Sequence, residues 1–351
     1  SHLLQLGGGA EMKPAAVPGG VPLPVIFLAL AMTHRVANIM LLVPLRAYTY
    51  ILALVTAAVQ LTTYSTVCWL GVRRGTVTGD MRSFALKNAS LFAAIGTCEG
   101  IFYPLVMYSA SHLPGGLVQV LQQMVVPATV LFSVVLLGRR YSAGQLAGVL
   151  LVLTGLLLAI SVPRLENASW TAWRAAALCV VAYTLLALGV TLKDIAFTRF
   201  QRAQGSGGGP GLDVSLVCAA AAVAQLAVQA LAWPVLHVLG CIGGAGHLAQ
   251  GLAALAGASE PLAPLLALVY WSCCIGFSFA ALRLVRQASA ATVVLVNVTA
   301  LPLSALVFCC PLPLLQRQAF SWSFVWSLLM VIAGNVLYGW AAISKGGSGR
   351  R

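Results

Sequence analysis

Leu28-Ala-Leu-Ala-Met-Thr-His-Arg35 and Leu186-Ala-Leu-Gly-Val-Thr-Leu-Lys193 align without a gap, and each carries an apolar helical run onto a basic residue. A cation inside an apolar run is costly, so finding one at the same place in two such segments marks an internal repeat. Further matches keep the same order along the chain. Gln60 answers Gln225, and a single offset of 175 residues pairs Cys98 with Cys273, Phe102 with Phe277, Gln122 with Asn297 and Pro127 with Pro302. Leu/Ala/Val sequence produces chance identities, so the repeat rests on the shared polar and proline positions in unchanged order.

The runs that hold these marks read as membrane spans. The chain is 60% hydrophobic and 8% charged, where a soluble domain carries about a quarter charged residues. A soluble fold cannot hide that much apolar surface, whereas a bilayer accepts it in helices of about 20 residues. Apolar runs between charged or Gly/Pro punctuation predict ten spans: 23–44, 48–71, 88–110, 115–137, 143–162, 171–196, 213–238, 262–284, 289–311 and 322–343. The net charge of +13 would suggest nucleic acid in a soluble protein. Here the Lys and Arg residues sit mostly in short loops, fourteen on the side of the termini and the even-to-odd loops against four (Arg46, Arg164, Arg174 and Arg317) on the other, with Arg35 and Lys193 inside spans. That bias places both termini on the cytoplasmic side, or its equivalent in an organelle, and leaves no nucleic-acid partner implied.

Ten spans divide into two units of five, and an odd number inserts the second unit upside down. The expected fold is therefore all-α and integral to the membrane, ten helices in two inverted five-helix repeats. Residues 1–20 read as a flexible Gly/Pro/Ala-rich segment, distinct from a signal peptide. The first repeat covers 21–165, the second 166–345, and 346–351 form a basic tail. Within the second repeat, 204–211 is a Gly-rich linker, and the loop 239–261 holds a short interfacial helix around His247–Leu255.

Ionisable groups inside spans are functional candidates by default. Arg35 and Glu99 lie deep, and Lys193 and Asp194 lie nearer the basic end of span 6. Glu99 and Asp194 are the coupling candidates, Glu99 first. Span 4 adds Gln119, Gln122 and Gln123 ahead of Pro127, which leaves the carbonyl of Gln123 without its helical donor. Span 9 repeats the design with Asn297 and Thr299 ahead of Pro302. Such groups are tolerated in lipid where they face protein or a water-filled cavity, and there they can bind a polar solute. Arg35, Glu99, Gln119, Gln122, Gln123, Lys193, Asn297 and Thr299 are thus the candidate substrate contacts. The alternative is that they bond neighbouring helices and merely pack. Gly100, Gly116, Gly148, Gly155 and Gly334 suit close helix packing.

Motif order adds a resemblance. Thr33-His-Arg-Val-Ala-Asn-Ile-Met-Leu-Leu-Val-Pro-Leu45 resembles the first span of the chloroplast CRT-like transporters of plants and algae. These are relatives of the parasite chloroquine-resistance transporter in the drug/metabolite transporter superfamily. Ala94-Ile-Gly-Thr-Cys-Glu-Gly100 is similar to the third span. Leu113-Pro-Gly-Gly, Gln122-Gln, Leu137-Gly-Arg-Arg-Tyr141 and Gln145-Leu-Ala-Gly148 are similar to spans 4 and 5, and Leu192-Lys-Asp-Ile-Ala-Phe197 followed by Leu212-Asp213 to the junction of spans 6 and 7. The resemblance implies a plastid-envelope carrier of thiol peptides such as glutathione and γ-glutamylcysteine, its cavity lined by spans 1–4 and 6–9. The parasite branch implies instead proton-coupled export of peptides and cationic drugs from a vacuole.

Arg35 and Lys193 suit an anionic substrate through charge-assisted bonds, which favours thiol peptides over cationic drugs. A sugar-phosphate or nucleotide-sugar carrier would want the same cations. A polytopic membrane enzyme or a scaffold is the remote alternative. The chain holds no phosphate loop, nucleophile elbow or zinc-binding helix motif, and neither cofactor nor metal is implied. Uphill movement would then draw on an ion gradient, the membrane potential or exchange.

Overall fold

The computed structural model describes residues 23–160, 170–204, 211–238, 244–287, 300, 304, 307 and 322–348, and among these all regular structure is helical. In chain order the helices are α1 (Leu23–Leu42), α2 (Thr49–Arg73), α3 (Gly79–Lys87), α4 (Ala89–His112), α5 (Gly115–Leu121), α6 (Val125–Leu137) and α7 (Ala143–Ile160). They continue with α8 (Trp170–Gln204), α9 (Val214–Val238), α10 (Ala245–Leu255), α11 (Ala263–Gln287) and α12 (Trp322–Ser348). Among the described residues, seven segments are long and apolar enough to cross a membrane: Val25–Leu42, Arg46–Arg73, Ala89–His112, Gly115–Leu137, Trp170–Gln204, Val214–Val238 and Ala263–Leu284. Ala143–Leu158 and Val325–Ala341 are shorter apolar helices. Of the ten expected spans, 289–311 falls outside the described residues apart from helical positions 300, 304 and 307.

In lipid, helix association depends on close packing more than on apolar burial, which favours small residues at contacts. The expected glycines do this. α7 and α12 meet backbone to backbone, where a Cβ added at Gly148 would lie 2.6 Å from the Gly334 carbonyl oxygen, and one at Gly334 equally close to that of Gly148. Two helical turns on, Gly155 accepts a 2.8 Å bond from Ser327 Oγ. α4 is seated on α9 in the same way. A Cβ at Gly96 would stand 2.2 Å from the Ala221 carbonyl oxygen, and one at Gly100 would press on Val228 at 3.0 Å. α1 lies along α11, with Phe27 and Phe277 stacked at 4.8 Å and Leu30 over Gly276.

Exposed tryptophans mark the two rims. Trp170, Trp173, Trp322 and Trp326 cluster at the starts of α8 and α12 on the arginine-poor side, and Trp69 and Trp340 at the other ends of their helices. This is the interfacial preference of a ring that is apolar with a polar N–H. At 35 residues, α8 is about 50 Å long, well beyond the roughly 30 Å hydrocarbon core, so it projects on the basic side.

That projection has a partner which the sequence reading treats as loop. α3 opens at Thr78, whose Oγ1 accepts from the Met81 amide at 3.4 Å, with Asp80 in its first turn. Its Phe84 ring meets Phe200 of α8 edge-on at 5.1 Å. α10 is the short helix expected in the loop 239–261. It rests on the start of α2, with His247 against Tyr48 at 4.7 Å and Gly251 against Ile51. The fourth span is broken: α5 and α6 are joined by a 3-10 turn at Gln122–Met124. The break falls where Pro127 removes the donor to the Gln123 carbonyl.

Candidate substrate-binding site

α8 turns its two neighbouring charges to different partners, since adjacent helical residues point about 100° apart. Lys193 reaches across to α4 and pairs with Glu99, both side chains largely buried. Asp194 accepts instead from Arg139, just beyond the end of α6, at 2.9 Å. Arg139 is 42% exposed, so this second pair is a rim contact. Two residues expected to touch substrate, Glu99 and Lys193, thus hold each other.

A buried polar network lies beside them. Gln225 Nε2 donates to Gln60 Oε1 at 3.0 Å, joining the very residues that the repeat matches. Gln60 Nε2 then donates to Tyr103 Oη at 2.8 Å and points at Cys274 Sγ at 3.4 Å. Cys274 occupies the position that answers Glu99 at the offset of 175. The charged corner of the first half is therefore a neutral thiol corner in the second. Trp271, which answers Gly96, bonds Thr56 of α2 at 3.1 Å through its indole N–H. Where α4 meets α9 on a glycine, a large side chain stands between α11 and α2. Tyr103 and Cys274 join the site only through this folded contact, and the sequence signal was the matching of positions 60, 225 and 274.

Proline-freed carbonyls matter here, though at a different proline. Pro104 sits inside α4, so the Gly100 carbonyl lacks its helical donor. Gln229 of α9 supplies one, its Nε2 donating to Gly100 O at 3.3 Å. Polar satisfaction across helices is what lipid demands of a broken hydrogen-bond ladder.

Arg35 is buried. Gln119 and Gln123 are buried on one face of the broken span, and Gln119 Oε1 and Gln123 Nε2 have no hydrogen-bond partner. Gln122 begins the 3-10 turn and is only partly buried, turned away from that face. Pro127 is buried. Asn297, Thr299 and Pro302 lie outside the described residues. One residue without a role in the sequence reading stands out. His34, on the same turn as Arg35, is stacked against Tyr270 at 5.0 Å and Phe277 at 5.8 Å, both from α11.

Chemically, this is a seam of one buried ion pair, a buried arginine, amides, a thiol and aromatic hydroxyls enclosed by apolar helices.

Residues 23–241 match the profile of the CRT-like, chloroquine-resistance transporter-like family. Three Arabidopsis thaliana proteins are similar over most of the chain. Protein CLT3, chloroplastic, is 28% identical across 89% of this chain and 70% of its own length. Protein CLT2, chloroplastic, is 27% identical across 94% and 79%, and Protein CLT1, chloroplastic, 27% across 89% and 71%.

Proposed function

The chain belongs to the chloroquine-resistance transporter-like family, and on that premise we propose that it is a secondary transporter whose substrates are thiol peptides of the glutathione and γ-glutamylcysteine type. It is a multi-pass integral membrane protein of the plastid, the compartment that its relatives' names carry, and we assign it to the envelope. Ten helices in two inverted five-helix repeats work by alternating access. The Gln60–Gln225 bond supports this, since matched residues of two inverted units are expected to meet where the units face one another.

The observation that carries the substrate reading is Arg35, buried in an apolar spanning helix. A guanidinium there suits a carboxylate of the peptide. Lys193, Gln119, Gln122, Gln123, Asn297 and Thr299 complete the contacts as the halves rock, and the Pro127 and Pro302 breaks shape that cavity. Glu99, held on Lys193, is the coupling carboxyl, and Asp194 assists from the rim.

Uptake of radiolabelled glutathione into proteoliposomes, with and without a pH gradient, tests the reading. Uptake is expected to be competed by γ-glutamylcysteine but not by triose phosphate, and to be lost in Arg35→Ala. Loss of the pH response in Glu99→Gln is the expected sign of coupling. Transport indifferent to pH in wild type and to Glu99→Gln removes the coupling role, and preferential competition by triose phosphate removes the substrate class.

A further inference from the structure

His34, Arg35 and Asn38 make one face of α1. With about 100° per residue, Asn38 falls between the other two when viewed down the axis. At one edge of the face His34 stacks on Tyr270 and Phe277 of α11, and at the other Arg35 is buried. His34 Nε2 and Asn38 Oδ1 are both buried and without hydrogen-bond partners. A buried polar atom is costly to leave unsatisfied, so the pair is the mark of a site that awaits a ligand. The two aromatic rings hold the imidazole plane, which directs Nε2 along the ring edge. Asn38 Oδ1 can only accept. One helical turn separates the two, about 6 Å between Cβ atoms.

A ligand that satisfies this face brings negative charge to the His34–Arg35 end and an N–H donor to Asn38. We propose that this face reads the zwitterionic head of an α-amino acid: carboxylate on Arg35 and His34, ammonium on Asn38 Oδ1. The inference rests on the thiol-peptide reading above and deepens it, because a γ-glutamyl peptide presents such a head at one end. A sugar phosphate can offer Asn38 only a neutral hydroxyl donor, where an α-amino acid offers a charged N–H. The site is also single. The positions answering His34 and Asn38 in the second half are Leu192 and Ala196, packed among apolar side chains. The substrate is therefore held in one orientation, γ-glutamyl head toward α1, despite the repeat.

The test compares glutathione with its des-amino analogue, glutaryl-cysteinylglycine, as competitors of radiolabelled glutathione uptake by the full chain in proteoliposomes. Losing a hydrogen bond to a charged group is expected to weaken the analogue about tenfold or more. Asn38→Ala should bring the two competitors level, and Asn38→Asp should widen the gap by offering the ammonium a carboxylate. Equal competition in wild type overturns the proposal. So does a preference that survives Asn38→Ala or narrows in Asn38→Asp. Should Asn38→Ala fail to fold, Asn38→Asp alone decides. Wild type that moves no glutathione removes the thiol-peptide reading but still tests this one. Thermal stabilisation by glutamate and not by glutarate then sustains it, and equal effects or none refute it.

Discussion

At the scale of single residues, the two ion pairs of α8 differ in what they are worth. Glu99 and Lys193 are both largely out of solvent, so removing one leaves the other charged and buried, at a cost of about 3–5 kcal/mol. Asp194 pairs with an arginine that is 42% exposed, and such a rim contact contributes about 0–1 kcal/mol. Glu99→Gln is therefore expected to lower the melting temperature of the detergent-solubilised protein clearly, while Asp194→Asn leaves it nearly unchanged. The double variant Glu99→Gln/Lys193→Gln should recover much of the loss, because no lone charge remains. Equal losses for Glu99→Gln and Asp194→Asn would mean that the buried pair has been misjudged. The sequence exposed all four charged positions but not their pairing. Lys193 and Glu99 are 94 residues apart, and their meeting depends on the rotation of two helices.

At the scale of elements, α4 keeps a proline in its middle because α9 repairs the damage. Gln229→Leu strips the donor from the Gly100 carbonyl, and a buried unpaired carbonyl costs about 1–3 kcal/mol. Pro104→Ala restores an N–H to the helix ladder. In that background Gln229→Leu should be close to neutral, and a double-mutant cycle on thermal stability reads the coupling directly. Strict additivity of the two changes would show that the contact is incidental. Pro127 was legible as a breaker from sequence, and the 3-10 turn at Gln122–Met124 sits where it predicts. The compensation at Pro104 was not legible, since it comes from another helix. α3 was hidden for a related reason. Its buried face comprises little more than Met81 and Phe84 against α8 and α9, too weak a pattern to stand out in a basic segment.

For the molecule as a whole, the charge bias and the tryptophan rims orient the helices. The exposed loop at Thr76, between α2 and α3, should lie on the basic side, and the exposed Gln250 of α10 on the other. Thr76→Cys and Gln250→Cys, made where native thiols are replaced by serine, are expected to react with a membrane-impermeant maleimide from opposite faces of sealed vesicles. Labelling from the same face would break the span count and with it the inverted arrangement. The halves are alike in order but unequal in chemistry. Glu99 is answered by Cys274, Gly96 by Trp271 and His34 by Leu192.

Membrane class and the positions of seven apolar helices were legible in the sequence alone, and the orientation and the matched halves are what the sequence leads one to expect. Each rests on hydropathy, charge bias or spacing, which are properties of the linear chain. Tertiary structure decided which polar groups satisfy one another: Lys193 with Glu99, Gln225 with Gln60, Gln229 with the Gly100 carbonyl. It also decided that His34 lies against Tyr270 and Phe277 with its outer nitrogen unsatisfied. In a bilayer a buried polar group must find its partner on whichever helix is nearest. That neighbour is set by how whole helices pack and rotate, which no local pattern encodes.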